Sequence, residues 1–241
     1  MSGAAGGWEF VPDGREYDVT LEDRMKYKCM IFDLDGTLVN SLPALVHCTN
    51  LALARFGLGT VDEEQMKTMA GDGYRMQMER ALKAAGDPEL THHAAILPVY
   101  MEIFAKDCLY KVHPYAGIRE LLETAKKKGM KLAVVSNKPR QQTIDTVEAI
   151  FGKGCFDVII GEAPDVPKKP DPTGAKKAAK LMGAKPSECL YLGDTNTDMH
   201  TGKNAGMDTV GVLWGFRSRE ELAALHPDYL VENPKQAEEL I

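Results

Sequence analysis

Past residue 28 the chain alternates short, wholly apolar runs with segments whose apolar positions repeat every three or four residues. The runs predict strands at 29–32, 131–135, 156–160, 189–192 and 209–213. Runs of this kind, with little polar interruption, suit parallel strands covered on both faces. Between them Ile118, Leu121, Leu122 and Ala125 fall at i, i+3, i+4 and i+7, and Ile144, Val147 and Phe151 continue the pattern. Gly129 and Gly183 stand where helix C-caps belong. Strand–helix alternation predicts an α/β fold, a doubly wound parallel sheet of Rossmann-like type.

Residues 42–112 break the alternation. They contain no convincing strand and read as four helices near 43–56, 62–69, 73–86 and 89–107, the last kinked or split by Pro98. The expected organisation is a core from 25–41 and 113–241 with an inserted all-helical domain at 42–112. Residues 1–24 are rich in Gly and acidic residues and lack periodicity. Met25 reads as an original start preceded by an extension, native or added; an ordered N-terminal arm is the alternative.

The 241 residues, 44% apolar and 27% charged, suffice for a buried core and exclude bulk disorder. No apolar run exceeds four residues, so no membrane span is expected. The net charge of −6, from 29 basic and 35 acidic residues, argues against nucleic acid as a partner. Lys126 to Lys128 and Lys176, Lys177 and Lys180 read as solvated helix faces or ends. Five scattered cysteines without a Cys-x-x-Cys suit a reduced, cytoplasmic protein. The histidines form no helical i, i+4 pair that would mark a zinc site.

Candidate chemistry collects at the ends of the predicted strands. The first strand runs out into Asp33-Leu34-Asp35-Gly36-Thr37-Leu38. In open α/β sheets ligands bind outside the carboxyl ends of strands, and residues i and i+2 of extended backbone share a face. Asp33 and Asp35 can therefore aim at one site; alone, the pair also reads as a turn cap and a solvated acid. The second strand ends in Ser136-Asn137-Lys138, donors suited to phosphate oxygens or simply a turn. The fourth ends in Gly193-Asp194-Thr195-Asn196-Thr197-Asp198, two more acids or a Gly-Asp turn with a helix cap. Lys168-Lys169-Pro170-Asp171-Pro172 precedes it, a lysine on a stiff turn. Four acids at neighbouring strand ends repel one another unless a hard cation lies between them, and oxygen ligands suit Mg²⁺.

FDLDGTL, SNK, KKPDP and GDTNTD, in that order, resemble the four motifs of the haloacid dehalogenase superfamily, specifically its phosphatase branch, over roughly 28–237. The helical block matches the position of a type 1 cap, HPYAGI resembles the return from that cap, and AGDG with ERAL resembles phosphoglycolate phosphatase-like caps. Thr195 stands where Ser is commoner, and Ala116 where Pro is common.

The resemblance implies a Mg²⁺-dependent phosphatase acting on a small phosphorylated metabolite. Asp33 would be the nucleophile, forming an aspartyl-phosphate, and Asp35 the general acid and base. Ser136, Asn137 and Lys169 would bind phosphate. Asp33, the Asp35 backbone carbonyl, Asp194 and Asp198 would hold the metal. Tyr74 and Arg75, after the Gly71–Gly73 turn, are candidates for substrate specificity; His47 reads as packed or solvated. Phosphoglycolate is the leading substrate. A sugar phosphomutase keeps both aspartates and stays open, as does an inorganic pyrophosphatase; a non-catalytic binding protein is disfavoured by the complete acid set. Oligomeric state is not legible.

Overall fold

The structure, a computed structural model, describes residues 26–241 together with β1 (Glu9–Phe10) and β2 (Glu16–Tyr17), which pair antiparallel. Apart from those four residues, the extension expected at 1–24 lies outside the described residues.

A six-stranded parallel sheet carries the core. Its strands are β3 (Cys29–Phe32), β6 (Lys131–Pro139), β7 (Val158–Glu162), β8 (Cys189–Gly193), β9 (Asp208–Val212) and β10 (Tyr229–Val231). Their order is β10-β9-β8-β3-β6-β7. The five predicted strands are present, shifted by a residue or two at some ends. β10, the sixth, escapes a pattern search because it is a three-residue edge strand, only partly buried, behind His226-Pro227-Asp228.

Alternate residues of the central strands feed two cores, as the two-residue period of a strand requires. Met30, Phe32, Leu132, Val134, Leu190 and Leu192 face one side. There they meet α5 (Ile118–Lys127) through Ile118, Leu121, Leu122 and Ala125, and α6 (Arg140–Phe151) through Val147. Cys29, Ile31, Ala133, Val135, Cys189 and Tyr191 face the other. Small side chains let α7 (Thr173–Leu181) pack closely there through Ala175, Ala178 and Ala179, beside Ala205 of α8 (Asn196–Ala205). Of two short helices, α9 (Arg219–Ala223) lies beside α8, while α10 (Pro234–Glu238) packs on the opposite face, its Ala237 joining the first core against α5.

Between β3 and β6 lie the four helices expected from sequence: α1 (Leu42–Ala54), α2 (Glu63–Met69), α3 (Tyr74–Ala84) and α4 (His93–Asp107). They enclose a separate apolar cluster of Leu45, Leu53, Met66, Met78, Leu82, Ile96, Tyr100 and Phe104 among others. α2 opens on a capping box in which Asp62 and Gln65 satisfy each other's backbone N–H. Helix α4 is not split at Pro98. Its buried residues Ile96, Tyr100 and Phe104, four apart, hold one face against the cluster, so packing outweighs the missing backbone donor. The two crossings into and out of the block are tied by a short antiparallel ladder that no hydrophobic pattern marks, β4 (Val39–Asn40) on β5 (His113–Pro114).

Candidate active site

Strand register decides which residues meet. Phe32 lies level with both Val134 and Leu192, its neighbours in β6 and β8. Asp33 continues from that row, its N–H donating to Leu192 O at 2.9 Å. The residues just beyond, Asp35, Ser136 to Lys138 and Asp194, consequently emerge at one edge of the sheet. Gly36 has φ +84°, which lets the chain turn off the sheet at once. A side chain there would collide with the Asp194 carboxylate, as would one at Gly215; one at Gly193 would strike Asp198. Glycines thus make the room that the acids occupy.

Asp33, Asp194 and Asp198 form a buried cluster whose ligand oxygens all lie within 4.8 Å of one another. Asp194 is fully buried and accepts from Thr37 Oγ1 at 2.9 Å and from Phe216 N–H at 2.8 Å. Asp198 accepts from Thr195 Oγ1 at 2.6 Å in the capping box that opens α8. The buried Lys169 ammonium bridges Asp33 Oδ1 at 2.8 Å and Asp198 Oδ1 at 2.7 Å. One lysine does not balance three carboxylates. Burial first and the charge of Asp198 second push the Asp33 carboxyl up to about 7. Burial and the charges of Asp198 and Asp33 hold Asp194 well above the ordinary carboxylate range. Burial disfavours charge on Lys169, but Asp198 and Asp33 overcome it and raise the ammonium well above its usual value. A cluster of hard oxygen donors with too little positive charge is the environment a divalent cation fits.

Above the cluster a small, partly open cleft lies between sheet edge and helices. Asp33, Asp35, Ser136, Asn137 and Lys138 line it from the sheet; Leu45, Gly71, Tyr74, Gln77, Tyr100 and Phe104 line it from the helices.

Residues 30–212 match the family model described as haloacid dehalogenase-like hydrolase. The chain belongs to that family. A phosphoglycolate phosphatase of Aquifex aeolicus is 32% identical over 218 residues, 89% of this chain and 96% of its own. One of Rhodospirillum rubrum is 34% identical over 204 residues, 82% and 84% of the two chains. Among solved structures, a predicted phosphoglycolate phosphatase from Haemophilus somnus superposes with a TM-score of 0.83 at 26% identity, covering 90% of this chain and 99% of that one. With the family's paired aspartates in place, this hydrolase is a phosphoric monoester hydrolase.

The hydrolase brings Asp33, Asp35, Ser136, Asn137, Lys169, Asp194 and Asp198 together, as the motifs imply. The contacts narrow one expected role and turn another residue away from the cleft. The Asn137 side chain is spent as a clamp: Nδ2 donates to Gly71 O and Lys169 O, both at 3.1 Å, and Oδ1 accepts from Lys169 N–H at 2.8 Å. The side-chain amide is therefore committed, and any hold on a phosphoryl oxygen at Asn137 would fall to its backbone N–H, the donor type the sequence offers there. Arg75 is exposed, with its guanidinium 5.0 Å over the Tyr74 ring, and it does not line the cleft; Tyr74 does. Successive helix residues are turned about 100° from each other, and here Tyr74 takes the inward position while Arg75 points to solvent. His47 packs on Tyr110 and pairs with Asp107 at 3.2 Å, away from the cleft.

Three further residues contribute to the site. Lys138 has its ammonium 2.9 Å from Asp35 Oδ1, with the side chain only 2% exposed. Its signal, a lysine where an apolar parallel strand ends, was visible. Gln77 reaches Thr49 Oγ1 at 3.0 Å and Tyr100 OH at 3.3 Å, an inward polar residue hidden in a polar helix. Arg217 donates to the carbonyls of Lys67 and Ala70, tying the loop after β9 to the end of α2.

Proposed function

We propose that this hydrolase is a Mg²⁺-dependent phosphatase for a small phosphate monoester, with phosphoglycolate the first candidate, and that the helices within 42–112 form its cap. The observation that carries the reading is the pairing of Asp33 and Asp35 on one strand exit, above a buried acidic cluster and below a small cleft. The names of the relatives support the substrate class.

Asp33 attacks phosphorus in line, forming an aspartyl-phosphate as the bond to the leaving oxygen breaks. Asp35 gives that oxygen its proton and later takes one from the water that hydrolyses the intermediate. Ser136 Oγ and Lys169 Nζ hold the phosphoryl oxygens as charge moves onto them. Asp33, the Asp35 backbone carbonyl and Asp194 would hold Mg²⁺. Asp198, whose oxygens already serve Lys169 and Thr195, would reach it through water. Bound there, the cation supplies the charge that lets a carboxylate approach a phosphate dianion. The cap excludes water and meets the organic part of the substrate. Five free cysteines support a cytoplasmic setting, and no described helix is long and apolar enough to cross a membrane.

Phosphate release from phosphoglycolate, hexose phosphates, nucleoside monophosphates and pyrophosphate, each with Mg²⁺ and with EDTA, tests the reading. Metal-dependent release concentrated on one small ester is the expected result. Release from none, or release indifferent to EDTA, overturns it.

A further inference from the structure

Among the described residues, Lys138 is the only cation that lines the cleft. Lys169 lies buried on Asp33 and Asp198, and Arg75 is turned outward. Among the described residues the Lys138 ammonium has one hydrogen-bond acceptor, Asp35 Oδ1 at 2.9 Å, and one aromatic face, Phe104, at 5.0 Å. An ammonium carries three N–H donors, so donors remain for the cleft. Tyr100 stands in the same wall, and its oxygen already accepts from Gln77 Nε2 at 3.3 Å. That leaves the Tyr100 hydroxyl proton to donate. The remainder of this wall is apolar or aromatic: Leu45, Tyr74 and Phe104. A carboxylate entering a cleft that already holds Asp33 and Asp35 is costly unless it meets an opposite charge.

We infer that Lys138, helped by the Tyr100 hydroxyl, binds a carboxylate on the leaving group of the substrate and so selects short phosphorylated acids over neutral esters. The inference rests on the phosphatase reading above, because it takes Asp35 to stand at the ester oxygen. With Lys138 Nζ 2.9 Å from Asp35, a group that touches both lies near the scissile bond. Ordinary hydrogen-bond lengths then leave room for about one or two carbons between ester oxygen and carboxylate. A cationic tail is repelled, and a neutral tail gains nothing from the ammonium.

The test compares 2-phosphoglycolate with ethyl phosphate, which has a similar alkyl leaving group but no carboxylate. Calorimetry in Mg²⁺ would measure both on the Asp33→Asn protein, with and without Lys138→Met. Phosphoglycolate should bind the Lys138 protein on the order of 30-fold more tightly than ethyl phosphate, the scale of a charged hydrogen bond. Lys138→Met should cut that preference to a few-fold, and Lys138→Arg should keep part of it. Equal binding of the two esters, or a preference that survives Lys138→Met, overturns the inference. If circular dichroism shows Lys138→Met unfolded, Lys138→Gln is read in the same way. Phosphate release by the unmutated enzyme is scored separately: release from neither ester counts against the phosphatase reading, while the binding preference still decides the role of Lys138.

Discussion

On the sheet side of the cleft, three carboxylates and a lysine are buried together and fixed by backbone donors, glycines and a capping box. On the helical side the lining is Leu45, Tyr74, Tyr100 and Phe104, with Gln77 the one buried amide. The first wall concentrates charge where charge is expensive, and unbalanced charge is what a metal and a phosphoryl group neutralise. The second wall is ordinary helical core turned toward a cavity. On the proposed reading the sheet would break the bond and the helices would enclose the leaving group, with Lys138, its chain on β6 and its ammonium against Phe104, reading that group's charge where the two walls meet.

The sharpest break in that division is Asp33→Asn. It should lower phosphate release on the order of 10⁴-fold or more, the scale seen when a catalytic group is deleted. The fold should survive, because one buried carboxylate fewer relieves the repulsion that raises Asp33 and Asp194. Melting temperature in EDTA should not fall. A variant that retains appreciable turnover removes Asp33 as nucleophile; one that unfolds shows that the acid supports the sheet edge rather than the chemistry.

Next in size is the coupling of metal to pH. In the metal-free protein Asp33 titrates near 7, above its ordinary value, through burial and then Asp198. The folded state therefore keeps a proton that the unfolded chain has released. Stability without metal falls as pH rises from the usual carboxylate range toward 7. Below that point the proton also competes with the cation. Melting curves in EDTA and in Mg²⁺, followed from about pH 5 to about pH 8, should coincide at the acid end and diverge with rising pH. Parallel curves would place the cation away from this cluster.

The same contrast explains what the sequence disclosed. The strand ends were legible because a run such as Cys29–Phe32 is apolar throughout, and acids that interrupt it have few structural reasons to be there. Asp33, Asp194 and Lys169 could be named before their contacts were known. The helical wall gave no comparable contrast. Gln77 looks like any polar helix residue until Thr49 and Tyr100 close over it. Arg217, far along the chain from Lys67 and Ala70, meets them only through tertiary docking. The sidedness of Tyr74 and Arg75 depended on where α3 begins, and a single residue decided which faced the cleft.

A weaker effect should follow from Arg217→Ala. The arginine joins the sheet layer to the carbonyls of Lys67 and Ala70, just ahead of the Gly71–Gly73 turn. Thr197 Oγ1 makes a parallel link, donating to Asp72 Oδ1 at 2.7 Å. Losing Arg217 should raise KM several-fold and leave kcat within about two-fold, as expected when binding alone is weakened. A fall in kcat with unchanged KM would mean that the helices position the reacting groups themselves, and the division between the walls would fail.

The smallest effect is expected at Arg75. The sequence suggests it as a reader of substrate carboxylate, but its guanidinium rests on the outer side of Tyr74. An exposed arginine over an aromatic ring contributes about 0.5–1 kcal/mol, mainly to local packing. Arg75→Ala should leave KM for phosphoglycolate and for p-nitrophenyl phosphate within about two-fold of the starting enzyme, the two ratios moving together. A selective rise for phosphoglycolate alone would show that α3 turns its first residues inward when substrate binds. It would also transfer carboxylate recognition from the sheet's lysine to the helical wall, reversing the assignment made for Lys138.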